Sequence, residues 1–218
     1  MTRDQRFPFR LYLVISEADC WGRSLNWVAE EAILGGVELI QLREKQADRQ
    51  TFLERARSLK AITDRHGVPL IINDRLDIAQ EVSAFGIHVG QQDLPPEEVR
   101  RQWPDCRLLG YSVERPSDLE KTGAMLADCL GVSPVFPTST KPDTVTAWGV
   151  DGLRDLRRRT DKPLIAIGGM NVENARTIVE AGADCIAVVS AICRADHPRA
   201  AAADLKHTID VALNTRTR

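Results

Sequence analysis

Short apolar runs alternate with longer amphipathic stretches from one end of this chain to the other, and that alternation constrains the fold more than any single motif. The runs that read as strands are Arg10 to Ile15, Val37 to Leu42, Pro69 to Ile72, Gly86 to Val89, Arg107 to Tyr111, Cys129 to Ser133, Pro163 to Ile167 and Cys185 to Val189. Between them the spacing predicts helices near Leu25 to Leu34, Arg49 to His66, Leu76 to Val82, Pro96 to Gln102, Pro116 to Leu126, Val150 to Arg158 and Val172 to Ala181, with a last one from Arg199 to Leu213. Each strand is followed by a helix, which implies parallel pairing through crossover connections. Runs such as Leu164-Ile165-Ala166-Ile167 are apolar at every position, as strands are when helices cover one face and packed side chains fill the other. An α/β fold of the (β/α)8 TIM-barrel type, one domain over residues 1–218, fits best; an open doubly wound sheet is the runner-up. The polar ends, 1–8 and 214–218, read as loosely held tails.

A barrel of this kind builds its site at the C-terminal ends of its strands, and the chemically interesting residues gather there. Gln41, Arg43 and Lys45 follow the second strand, and a period of two puts all three on one face with Leu42 and Glu44 turned away. Asn73 and Asp74 follow the third strand, Asp93 the fourth and Ser112 the fifth. Two carboxylates on separate strand ends suit a hard cation such as Mg2+, which takes one or two carboxylates and completes its shell with water and phosphate oxygens. Taken singly, each aspartate reads first as a helix N-cap and only second as a metal ligand, since Asp93 precedes the helix start Leu94-Pro95-Pro96-Glu97-Glu98. After the sixth strand comes the hydroxyl-rich Thr138-Ser139-Thr140-Lys141, in a long loop from Pro134 to Trp148. Hydroxyls, loop N–H groups and a lysine suit a phosphate, although a Ser/Thr-rich surface loop is the ordinary form of such a stretch. The seventh and eighth strands end in Gly168-Gly169 and Val189-Ser190, where missing side chains and N–H groups before a helix can bind a phosphate monoester.

Composition removes several function classes. A formal net charge of -2 over 218 residues gives no basic surface for nucleic acid, so anion binding must be local. No segment has the apolar length of a membrane span or a signal-peptide core, and the expectation is a cytoplasmic protein. A homo-oligomer is compatible with the chain. Cys20, Cys106, Cys129, Cys185 and Cys193 are odd in number, widely spaced and read as reduced. The four histidines show no metal-ligand spacing. His88, inside a short strand, reads as a hydrogen-bonded core residue, with a catalytic role the less common alternative.

Taken in order, these segments resemble the thiamine-phosphate synthase (thiamine-phosphate pyrophosphorylase) family over nearly the whole chain. The likeness runs from Leu11-Tyr12-Leu13-Val14 through Gln41-Leu42-Arg43-Glu44-Lys45, Ile72-Asn73-Asp74-Arg75, His88-Val89-Gly90-Gln91-Gln92-Asp93-Leu94 and Gly110-Tyr111-Ser112. It continues through the Gly131 to Lys141 loop, Ala166-Ile167-Gly168-Gly169 and Ala187-Val188-Val189-Ser190. The resemblance implies condensation of a hydroxymethylpyrimidine diphosphate with a thiazole phosphate, with pyrophosphate expelled by a dissociative substitution. It implies Mg2+ on Asp74 and Asp93, the leaving diphosphate on Arg43, Lys45 and Lys141, and Gln41 and Asn73 on the pyrimidine-diphosphate side. Thr138, Ser139, Thr140, Gly169, Val189 and Ser190 are implied for the thiazole phosphate, and Ser112 beside the diphosphate or the migrating positive charge. Three positions depart from the family pattern: Ser133 for a usual glycine, Cys129 for an aromatic and Met170 for isoleucine. Ser133 is expected to crowd the barrel mouth. Three alternatives compete: a thiazole tautomerase on the same barrel, an aldolase-like enzyme with Lys45 or Lys141 as a Schiff base, and a non-catalytic phosphate-ligand sensor.

Overall fold

The computed structural model describes residues 7–138 and 147–216. Eight parallel strands close into a barrel in the order β1 to β8: Leu11–Ile15, Leu39–Leu42, Leu70–Asn73, Gly86–Val89, Leu108–Val113, Cys129–Val132, Leu164–Ile167 and Cys185–Val188. Closure, through the β1–β8 pairing of Tyr12 with Ala187, excludes the open doubly wound sheet. The helices are α1 (Leu25–Leu34), α2 (Arg49–His66), α3 (Leu76–Glu81), α4 (Pro96–Gln102), α5 (Thr122–Leu126), α6 (Gly149–Arg159), α7 (Val172–Glu180), α8 (Ser190–Cys193) and α9 (Pro198–Arg216), with 3-10 turns at Ala18–Cys20 and Pro116–Glu120.

Strand and helix limits follow local chemistry. The third strand starts at Leu70 rather than Pro69, and the sixth stops at Val132, one residue before Ser133-Pro134; proline has no N–H for a ladder. The start of α2 is set by Asp48, whose carboxylate accepts from Thr51 N at 2.8 Å, and its end by Gly67 at φ 68°. The expected helix from Pro116 to Leu126 is broken at Lys121, which is extended. Asp118, buried, takes the N–H groups of Glu114 and Arg115 and the Lys121 ammonium, while Gly123 lets Tyr111 and Pro96 approach where a Cβ would collide. The short α8 was not foreseen.

Two apolar layers hold the barrel. Leu11, Leu13, Ile40, Leu42, Leu70, Ile72, Ile87, Leu109, Leu130 and Leu164 point outward against the helices. Tyr12, Val14, Leu39, Ile71, Leu108, Cys129, Ile165, Cys185 and Ala187 point inward and fill the lumen. Phe7 joins the inner layer at 3% exposure, with its ring edge-on to Phe9 at 5.2 Å, and plugs the end opposite the site. Burying such a ring stabilises by about 2 kcal/mol. Within the loose tails expected at 1–8 and 214–218, Phe7 is core and 214–216 continue α9, whose apolar residues Ala202, Leu205, Ile209 and Ala212 are buried; 1–6 and 217–218 lie outside the described residues. All five cysteines are buried and none forms a disulfide. No helix among the described residues is long and apolar enough to cross a membrane.

Candidate active site

The inward-facing residues nearest the C-terminal end of each strand make the site, and the strand period of two delivers them. Gln41, Arg43, Lys45, Asn73, Asp74, His88, Asp93 and Ser112 line one cavity at this mouth, above the apolar side chains of Tyr12, Val14, Ile165 and Ile167. The expected convergence of Gln41, Arg43 and Lys45 is thus present. Leu42 is buried outward, and Glu44 is held away by Arg55 at 2.8 Å and by the Glu17 N–H at 2.8 Å. The Gln41 carboxamide is fixed from below, its Nε2 donating to Tyr12 Oη at 2.7 Å.

Neither aspartate acts as a helix cap. Arg75 and Pro95 occupy the cap positions of α3 and α4. Asp74 stands at φ 59°, a left-handed conformation that a non-glycine residue adopts at a cost of about 1–3 kcal/mol. There it accepts from Asn73 Nδ2 at 2.6 Å and from the Lys45 ammonium. Asp93 accepts from Gly90 N at 2.8 Å, and its carboxylate lies 3.9 Å from Lys45 Nζ. The two carboxyl groups act on each other, and their proton affinities are driven apart. Burial, then the neighbouring Asp93, push Asp74 up to about 6 against the pull of Lys45. Burial also works against the Asp93 carboxylate, but the bonds from Asp74 and Gly90 N–H, with Lys45 close by, bring it below its usual range.

Below about pH 6 a proton on Asp74 and the Lys45 ammonium offset this carboxylate pair; above it both carboxylates are ionised, the donor chemistry that suits a divalent cation. Among the described residues no group of three or more His, Cys, Asp or Glu side chains offers a closed metal cage. Two carboxylates leave the rest of a cation's shell to water and ligand. The raised Asp74 carboxyl has a consequence for stability: the folded state keeps a proton that the unfolded chain releases near 3.8, and the stability this confers is lost as pH rises through about 6. In metal-free protein, Asp74→Asn is expected to melt several degrees above wild type at pH 7.5 and to lose that advantage toward pH 4. Thermal melts in chelator at the two pH values check it; a variant that melts lower at pH 7.5 would show that Lys45 already compensates the charge.

A second cavity adjoins the first. Asp19, Arg43, Ser133, Thr138, Gly168, Gly169, Met170, Val189 and Ser190 line it. Gly168 and Gly169 have φ of 104° and 68°, and a Cβ on either would strike Pro134 or Phe136 of the loop after β6. The α7 N-terminus does not serve this cavity: Asn171 Oδ1 already takes the Glu173 and Asn174 N–H groups. Of the residues expected here, Thr138, Gly169, Val189 and Ser190 are brought together, whereas Ser139, Thr140 and Lys141 lie outside the described residues. Ser133 lines both cavities, at the mouth where crowding was expected. Tyr12, Asp19, His88 and Met170 were not assigned to a site from the sequence. The period of two carries the signal for Tyr12 and His88, since each is the polar-tipped residue on the inward face of its strand.

The thiamine monophosphate synthase family model matches residues 11–192, which span every strand of the barrel. The chain belongs to this family. A thiamine-phosphate synthase of Albidiferax ferrireducens is 48% identical over 201 residues, 92% of this chain and 92% of that protein. One of Chloroflexus aurantiacus is 45% identical over 203 residues, covering 93% and 94%. The solved structure of a thiamine phosphate pyrophosphorylase from Pyrococcus furiosus superposes with a TM-score of 0.87 at 31% identity, covering 96% of this chain and 99% of that one. Family membership makes the chain a transferase with small-molecule substrates, and both cavities lie within the matched span.

Proposed function

We infer that this chain condenses 4-amino-2-methyl-5-hydroxymethylpyrimidine diphosphate with 4-methyl-5-(2-hydroxyethyl)thiazole phosphate to give thiamine phosphate and pyrophosphate. The observation that carries the reading is one guanidinium, Arg43, shared by two adjoining cavities of different chemistry. One has a carboxylate pair and Lys45, suited to a metal-bound diphosphate; the other has two left-handed glycines and a strand-end serine, suited to a monoester. The C–O bond to the diphosphate breaks with its electron pair leaving on pyrophosphate. The thiazole nitrogen then supplies the pair for the new C–N bond. The protein's task is to position both partners and to balance charge on the departing group.

Mg2+ bound to Asp74 and Asp93 would supply additional positive charge to the leaving diphosphate. Arg43 and Lys45 line its cavity, and Lys141 is assigned to the same anion by resemblance. Gln41, braced by Tyr12, and Asn73, braced on Asp74, orient the pyrimidine. Thr138, Ser139 and Thr140 are assigned to the thiazole phosphate with Gly169, Val189 and Ser190. An aldolase-like mechanism finds little support at Lys45, which is exposed and paired with a carboxylate rather than desolvated. Incubation with both substrates, with Mg2+ and with chelator, tests the assignment by release of thiamine phosphate and pyrophosphate in equal amounts. Product formation in chelator would remove the metal, and absence of product under both conditions would remove the synthase reading.

The two subsites make separable predictions. Gly169→Val places a branched side chain at φ 68° with its Cβ 2.8 Å from Phe136 Cβ, so backbone strain and loop displacement are both expected. KM for the thiazole phosphate is expected to rise at least about tenfold, with that for the pyrimidine diphosphate changed far less. Steady-state kinetics with each substrate varied in turn decide this; equal rises would mean that the whole mouth has collapsed.

A further inference from the structure

His88 is the inward-facing residue of β4, and the register sets it beside Gly110 of β5. An ideal Cβ on Gly110 would fall 2.4 Å from His88 Nδ1, and one on Gly131 would fall 2.9 Å from Cε1 and 3.4 Å from Nε2. The imidazole therefore occupies the space that two missing side chains leave inside the barrel. Any Cβ at Gly110 would displace it. Its Nε2 and Ser112 Oγ are 2.9 Å apart in one hydrogen bond.

Ser112 is held from behind as well. Its carbonyl accepts from Gln91 Nε2 at 2.5 Å, and Gln91 Oε1 in turn accepts from Tyr111 Oη at 3.0 Å and Lys121 Nζ at 2.6 Å. With the backbone fixed, the remaining freedom of Ser112 is rotation of its hydroxyl, and His88 selects one orientation. The hydroxyl borders the space above Gly90: a Cβ built there would lie 4.0 Å from Ser112 Oγ and 3.0 Å from Asp93 Oδ2. We propose that His88 is a positioning residue, wedged over Gly110 and Gly131 to hold the Ser112 hydroxyl toward the diphosphate end of the cavity. The proposal rests on the synthase reading of that cavity. His88 acts through Ser112, so its contribution exists only while the serine hydroxyl is present.

A double-mutant cycle on turnover tests this. His88→Asn withdraws the group that meets Ser112 and is expected to lower kcat about tenfold, with KM for the thiazole phosphate unchanged. His88→Gln, whose carboxamide reaches the Nε2 position, is expected to recover most of the loss. Ser112→Ala should match or exceed the His88→Asn loss, and the double variant should fall within about twofold of Ser112→Ala alone. Gly131→Ala, which pushes the ring aside while leaving both polar groups in place, should reproduce His88→Asn; it carries the test if His88→Asn does not fold by its thermal melt. Losses that multiply in the double variant, a Gln no better than Asn, or full activity in both His88→Asn and Gly131→Ala would overturn the proposal. A wild-type protein that makes no thiamine phosphate overturns the synthase reading and this proposal with it, whereas an active wild type with an indifferent position 88 overturns the proposal alone.

Discussion

Asp93→Asn is expected to lower turnover by about a hundredfold to a thousandfold, the cost of removing one charge contact of about 3–4 kcal/mol from the transition state, while leaving the fold intact. The two consequences separate because the carboxylate does two jobs. One oxygen accepts from Gly90 N–H at 2.8 Å and so shapes the loop between β4 and α4; an asparagine oxygen can do the same. The charge faces Asp74 and Lys45, and an amide cannot replace it. Asp93 is the carboxylate of the pair held below its usual range, so it is the member that presents full negative charge to a cation. Asp74 surrenders a proton near 6 to do likewise. The variant should require more Mg2+ for half-maximal rate, and wild type in chelator should fall to the level of the variant in chelator. A titration of kcat against Mg2+ for both proteins, with a thermal melt of each, measures these effects. Wild-type rates in the variant at ordinary Mg2+ would sink the assignment of Asp93 as a metal ligand.

Much of this site was legible in the sequence because a barrel converts chain order into geometry. Once the strands are recognised, the residue after each strand end must lie at one mouth, and this placed Gln41, Arg43, Asn73, Asp74, Asp93 and Ser112 without any knowledge of distances. The β4 span, Gly86–Val89, and three helices, Leu25–Leu34, Arg49–His66 and Pro96–Gln102, match the observed limits, since serine, aspartate or proline starts them and glycine ends the first two. What was not legible depends on contacts between strands. Whether a histidine inside a strand faces packed apolar atoms or a cavity is set by its neighbours' sizes, and Gly110 and Gly131 become its neighbours only through the barrel register. The same holds for Asn171: its capping of α7 removes N–H donors that the pattern alone would offer to a phosphate. Phe7 looked like part of a polar tail because only closure of the barrel creates the end that it plugs.

Arg43→Gln is expected to reduce kcat/KM about a thousandfold for both substrates while leaving the melting temperature unchanged or higher. Among the described residues the Arg43 side chain makes no ion pair or hydrogen bond. Arg23, Arg55, Arg100 and Arg157, by contrast, each hold carbonyls or carboxylates. The nearest acid in sequence is not available to it, since Glu44 is turned outward and bound to Arg55. A half-buried guanidinium with no carboxylate partner among the described residues is costly in the ligand-free protein, and neutralising it relieves that cost. The same exposed demand for an anion makes it useful. Because Arg43 lines both cavities, its loss should raise the apparent requirement for the diphosphate and for the thiazole phosphate together, unlike Gly169→Val, which belongs to one. Arg43→Lys should recover only part of the activity, because a point charge keeps the attraction but cannot reach two phosphates with one planar fork. Kinetics with each substrate varied, beside thermal melts, decide the matter. A defect confined to one substrate would place Arg43 in a single subsite, and a fall in melting temperature matching the loss of activity would make it a structural residue rather than the bridge between two anions.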